Sequence, residues 1–265
     1  MLPPELTALV DANAWTYGPN ATALRILRLT RRLNLEPTAF WEDLLAGCPR
    51  MAPLGYWRGA VTEGGRPLAD LEADFLAREA LLVDHLRQLL GDARRILIAG
   101  HDREIDELWR RDDRDRSYRY LLVDGPLGID PPGSFPRPPR SVRIEPAFPF
   151  ARLEEALDWA DVVLLAGFVI HRQNLLGTPQ LRPLLACARD QVDAVLLLAT
   201  NERRLTLGEG APRVYRDDFR PYLWQASVTH LVSEWHHGTE GTQLGWLPLP
   251  PDVLRARFGE ELFPS

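Results

Sequence analysis

Lysine is missing from this 265-residue chain, so all 31 basic side chains are arginine. The coding bias of a GC-rich genome is sufficient to produce this; selection for bidentate arginine contacts or heat resistance is the alternative. Neither points to a function. A basic excess is missing too. The net charge is −6 and the isoelectric point about 5.6, which speaks against a dedicated nucleic-acid binder. No apolar run approaches the roughly 18 residues that a membrane-spanning helix needs. The start, MLPPELTALVDANAW, has neither a basic stretch nor an apolar one. No secretory signal is therefore expected, and a cytoplasmic protein is the simplest expectation. Cys48 and Cys187 are the two cysteines, far apart in sequence, too few for a disulfide framework. Neither has a sequence neighbour that would activate it as a nucleophile. G-x-S-x-G, the Walker loop and G-x-G-x-x-G are absent. The nucleophile elbow, the P-loop and the dinucleotide fingerprint have no sequence signal here.

What is present suffices for a core. The chain is 45% hydrophobic and 26% charged, the balance of a globular protein of one or two domains. The first third reads as helical. Ala21–Leu33 sets Leu24, Ile26 and Leu27 against arginines, and Pro37–Leu45 offers a second short helix. Leu68–Leu90 carries Leu71, Phe75, Ala80, Leu82, Val83, Leu86 and Leu89 near helical spacing. Gly91 follows where a C-cap belongs. From Arg95 the period changes. RILIAG, YRYLLVDG, SVRIEP, DVVLLAG, DAVLLLAT and THLVSEW are short apolar runs of the kind that strands buried on both faces require. Helical stretches over 101–110, 150–160, 179–190 and 252–262 alternate with them. This order predicts an α/β protein: a helical N-terminal domain (1–92) followed by a Rossmann-like parallel-sheet domain (93–265). Ligands on such sheets gather at the carboxyl ends of the strands. The proline-dense segment 125–150 breaks into turns and reads as an edge cover or a contact surface.

Several constellations lie where chemistry would occur. NLLGTPQL combines Asn174 with Gly177, which lets backbone approach a ligand, and Thr178, which would cap the helix that Pro179 opens. The free N–H groups of that helix start would suit a phosphate; an ordinary capped helix is the competing reading. AGHDREIDELW sets His101 and Asp102 just past the first strand. Asp102 reads as an N-cap, with a His–Asp acid/base pair as the alternative. THLVSEWHHG offers His230, Glu234, His236 and His237. Because the run reads as a strand, Glu234 is expected to hydrogen-bond near a pocket rather than to join a metal site. No metal and no cofactor is expected.

The order of these pieces resembles the initiation factor 2B alpha/beta/delta family. That family holds the regulatory subunits of the eukaryotic exchange factor, methylthioribose-1-phosphate isomerase and ribose-1,5-bisphosphate isomerase. LLAGCPRMAPLGYW resembles its connector after the first helices. RILIAGHDREIDELW looks like its first sheet strand and helix, and YRYLLVDGPLG, with Asp124, like its second strand. DVVLLAGFVIHRQNLLGT resembles the family's strand, acidic residue, loop and N-k-i-G-T segment. THLVSEWHHG followed by PLPPDVLRARFGEEL is similar to its ending.

The departures bear on activity. The resemblance sets Gly100 at the isomerases' catalytic cysteine and Phe168 at their catalytic aspartate. The connector's arginine falls at Cys48, with Arg50 two residues on. The loop between Ile170 and Asn174 is shorter than usual. Asn174, Gly177 and Thr178 are kept. Isomerisation of a phosphorylated sugar needs a titratable group beside the substrate, which neither glycine nor phenylalanine supplies.

The resemblance thus implies a non-catalytic protein with no catalytic residue at those two positions. Asn174, Gly177, Thr178, Gly100, His101, Asp124, Glu234 and Arg50 are its candidate ligand contacts. The ligand would be a sugar phosphate or nucleotide, or the role would be regulation of a protein partner. A homodimer through the C-terminal domain is implied, with neither nucleic acid nor membrane as partner. The alternative is a sugar-phosphate isomerase with rearranged groups drawn from His101, Asp102, Asp124, His171 and Glu234. A third reading makes the proline-rich segment a docking surface for assembly alone.

Overall fold

The computed structural model describes residues 3–13, 19–35, 57, 61, 65–122, 142–166, 169–171, 174–177, 180–198, 220–223 and 230–232. The chain opens with helices α1 (Pro4–Asn13), α2 (Pro19–Arg32) and α3 (Leu68–Leu90). Three further helices alternate with strands: α4 (Arg103–Arg111), α5 (Leu153–Trp159) and α6 (Leu181–Gln191). Helix α3 spans the residues that the apolar spacing predicts, and Gly91 caps it at φ 45°, donating its N–H to Gln88. Helix α1 is an addition. It falls in a segment whose composition carries no helical signal strong enough to separate it from a terminus.

Strands β1 (Arg95–Ala99), β2 (Ser117–Leu122), β3 (Arg143–Ile144), β4 (Phe148–Pro149), β5 (Val162–Leu165), β8 (Ala194–Leu198) and β10 (His230–Val232) form one parallel sheet. Its order is β10-β8-β5-β1-β2-β3, with β4 also on β2. The chain builds outward from β1 through β2 to β3, then returns to place β5 on the other side of β1. That reversal is the topological switch point of a doubly wound sheet.

Alternate side chains serve opposite faces. Leu97, Val163, Leu165 and Val195 pack with Ala156, Leu157, Leu181, Leu184 and Leu185 of α5 and α6. Ile96, Ile98, Val162, Leu164 and Leu196 pack with α3 and with Ile105, Leu108 and Trp109 of α4. Every one of those strand residues is fully buried, at about 1.5–3 kcal/mol of hydrophobic stabilisation each. Helix α3 also serves a second cluster. Its Leu71 and Phe75 pack with Leu6, Leu24, Leu27 and Trp57, and the Phe75 ring meets Trp57 edge-on at 5.7 Å. One long helix thus joins the helical segment to the sheet.

A second, antiparallel sheet follows β5 directly. Strand β6 (Val169–His171) pairs with β7 (Asn174–Gly177), and β7 pairs with β9 (Arg220–Leu223). The sequence predicts a loop between Ile170 and Asn174, with NLLG as the approach to a helix; the structure corrects this, since NLLG is a strand. Backbone pairing on both sides supplies what the four residues lack in length. The helix after it begins at Leu181 with Gln180 at the N-cap and no side-chain cap bond, two residues beyond the expected Thr178 cap.

Candidate functional site

Strands β1 and β5 stay paired to their ends, where the Ala166 N–H donates to the Ala99 carbonyl at 3.0 Å. In doubly wound sheets the ligand crevice lies just beyond this point, outside the carboxyl ends of the strands. Gly100 turns the chain there at φ 80°, a left-handed conformation that a Cβ would strain. That geometry explains the glycine by itself.

His101 follows and turns inward. Its side chain is 8% exposed, with Nδ1 2.7 Å from the Tyr120 hydroxyl and Nε2 3.5 Å from Asp106 Oδ1. The Trp109 and Tyr120 rings lie about it at 6.0 and 5.9 Å. Burial, and then the charge of Asp106, push the Tyr120 phenol well above its ordinary range, so the hydroxyl stays protonated at any physiological pH. Both imidazole nitrogens therefore face groups of this chain, inside an aromatic cage. Tyr120, Asp106 and Trp109 are absent from the sequence-level candidates. The strand alternation of Tyr118 and Tyr120 was the available signal, since residues two apart share a face.

Asp102 is fully buried and caps α4, accepting the Arg103 N–H at 2.7 Å. The same oxygen accepts the Ala21 N–H of α2 at 3.1 Å. This bears out the capping reading of Asp102. The Arg103 guanidinium reaches back to Glu79 of α3, 2.8 Å from Oε1. Burial pushes the Glu79 carboxyl up to about 8; Arg103 pulls against this, while Glu104 and Glu107 add to it. A second buried polar group, Asp112 with Arg116 and the Tyr118 hydroxyl 2.6 Å away, lies near the start of β2, at the opposite sheet edge, and serves the fold.

In the antiparallel sheet that follows β5, His171 and Asn174 stand in register at the tip of the β6–β7 hairpin, and Gly177 stands opposite Arg220 of β9. Arg220 was not foreseen. Arg50, Asp124, Phe168, Thr178 and Glu234, with Cys48, lie outside the described residues. The structure therefore brings Gly100 and His101 to one side of the switch point and places Asn174 and Gly177 on the strand pair that leaves the other. Cys187 is half-buried on α6 against the core. Among the described residues no three His, Cys, Asp or Glu side chains converge as metal ligands, and no helix is long and apolar enough to cross a membrane.

No family model and no curated protein matches this chain. Solved structures do. A translation initiation factor eIF-2B from Pyrococcus horikoshii aligns over 95% of this chain and 100% of its own, with TM-score 0.63 and 13% identity. The chain has the initiation factor 2B fold. The eIF2B delta subunit of Chaetomium thermophilum aligns over 88% of this chain and 98% of its own, with TM-score 0.57 and 12% identity. The 5-methylthioribose 1-phosphate isomerase of P. horikoshii aligns over 86% and 82%, with TM-score 0.50 and 11% identity. At such identities the likeness is one of architecture. The helical N-terminal segment and the parallel sheet of the initiation factor 2B fold are those expected from the order of the sequence motifs.

Proposed function

We propose that this chain is a non-catalytic protein on the initiation factor 2B fold, whose switch-point crevice holds a phosphorylated metabolite in a regulatory role. In this reading the helical part is 1–92 and the α/β part 93–265. The α/β part pairs two copies, and the protein works in the cytoplasm. A solved relative by fold, the beta–delta complex of C. thermophilum, is a tetramer, which makes assembly a reasonable companion of the fold.

The observation that carries the reading is the engagement of His101 and Asp102. These are the two titratable side chains at the end of β1, the first strand of the switch point. One has both ring nitrogens against Tyr120 and Asp106, and the other holds two helix starts. A general base must be within reach of the proton it takes, and these two are turned into the fold. Gly100 and Phe168, at the positions that the resemblance pairs with the isomerases' reactive groups, add no titratable side chain. On the ligand side, Asn174, Gly177 and Thr178 are the retained elements, with Gly100, Asp124, Glu234 and Arg50 as further contacts.

The test is a thermal-shift panel with inorganic phosphate, sugar phosphates and nucleoside monophosphates. A ligand at a hundred times its Kd adds about 2.7 kcal/mol to stability, a readily visible rise. A rise with a sugar phosphate that Thr178→Val abolishes supports the reading. No rise with any of them overturns the ligand. Conversion of a bound aldose phosphate to its ketose, followed by NMR, overturns the non-catalytic assignment and turns attention to a rearranged isomerase site.

A further inference from the structure

Helix α2 begins with PNATALRILRLTRR. It has no acidic residue in its first turn and ends on Arg31 and Arg32. Such a helix starts with N–H groups that lack intrahelical partners and with a partial positive charge, and its first turn carries no acidic side chain to meet them. The answer comes from 81 residues away. Asp102 Oδ1, fully buried, accepts the Ala21 N–H from the first turn of α2 and the Arg103 N–H from the start of α4. One carboxylate oxygen thus serves the N-termini of two helices. Its location matters. The first strand-to-helix turn of a doubly wound sheet is where dinucleotide-binding proteins seat a pyrophosphate on the helix N-terminus. Here that turn runs Gly100–His101–Asp102, at the end of β1.

We infer that Asp102 is a resident anion: its carboxylate takes the phosphate position of the first strand-to-helix turn and, by doing so, fastens α2 to the carboxyl edge of the sheet. The neighbouring residue provides a second tie, since the Arg103 side chain reaches Glu79 of α3. The consequence for specificity is that the Arg103 N–H at the start of α4 is already taken by Asp102, so a phosphate in the crevice would have to be held by other groups. The consequence for architecture is that the helical segment is held at the mouth of the crevice by an internal ligand. This inference stands apart from the metabolite reading above and survives its failure.

The test uses the full chain and no phosphorylated compound. Asp102→Ala removes the atoms that a formate ion would restore. We expect a fall in Tm of roughly 5 °C, from the loss of two cap bonds. Amide exchange over residues 19–25 should quicken by about tenfold or more while β1 and β5 stay protected. Added sodium formate, with sodium chloride as the control, should raise the Tm of the variant and slow that exchange, with little effect on the parent. Unchanged exchange over 19–25, or equal formate shifts in parent and variant, overturns the inference. If Asp102→Ala does not fold, Asp102→Asn carries the exchange readout. It keeps an acceptor oxygen but loses the charge. A smaller but clear acceleration over 19–25 supports the inference, and none overturns it.

Discussion

Asp161 offers the sharpest prediction on stability, because a single side chain holds the amino ends of two adjacent strands. It sits one residue ahead of β5. Its Oδ2 accepts the backbone N–H groups of Arg94 and Arg95, each at 2.9 Å, and its Oδ1 takes the Arg95 guanidinium at 3.0 and 2.6 Å. The Arg95 side chain is 49% exposed and that of Asp161 21%. The ion pair by itself therefore adds less than about 1 kcal/mol, since solvent screens it and the arginine loses rotamers. The two amide bonds to a mostly covered carboxylate contribute about 1 kcal/mol each after solvation is allowed for.

We expect Asp161→Ala to cost about 2–3 kcal/mol and Arg95→Ala less than about 1 kcal/mol. Urea denaturation at constant slope measures both. The sign with pH follows. Burial works to raise the Asp161 carboxyl, but the bonds from Arg95 and from the Arg94 and Arg95 amides outweigh it and hold it below its ordinary value. Its contribution is complete above the unfolded value of about 3.9 and vanishes as pH falls through the folded one. Parent and Asp161→Ala should then converge in stability in acid. Equal losses for the two variants, or a gap that persists at low pH, would refute the division of labour between amides and guanidinium.

Two further outcomes test the crevice. Tyr120→Phe removes the 2.7 Å partner of His101 Nδ1 and should cost about 1 kcal/mol while leaving every ligand-induced shift in Tm unchanged; a lost shift would make His101 a ligand contact. Burial raises Glu79 to about 8, so the folded protein holds that proton where the unfolded chain has released it. Stability should fall as pH rises from about 4.5 toward 8, and Glu79→Gln should flatten that slope. An unchanged slope in the variant would show Glu79 to be ionised beside Arg103.

Local pattern was enough for much of this protein. The apolar spacing of Leu71, Phe75, Leu82, Val83, Leu86 and Leu89 determined α3 to its ends. The apolar runs beginning at Arg95, Tyr118, Asp161 and Asp193 pointed to a buried parallel sheet, because strands covered on both faces are largely apolar. Asp102 before a helix determined its own role as a cap. In each case the physical cause lies within a few residues, so the chain displays it.

The tertiary structure decided what depends on distant partners. NLLG is a strand because β6 and β9 flank it, and a four-residue segment carries too little periodicity to show that. His101 is enclosed because Tyr120 and Trp109 arrive from another strand and from α4. Asp102 reaches Ala21 across 81 residues, a contact no window of sequence contains. The sequence by itself determined the main segments of the parallel sheet, the stop at Gly91 and the cap at Asp102, though not the start of α6. Only the packed chain decided which polar groups those layers consume, since a hydrogen bond between remote residues exists only once the burial of the intervening core has brought them together.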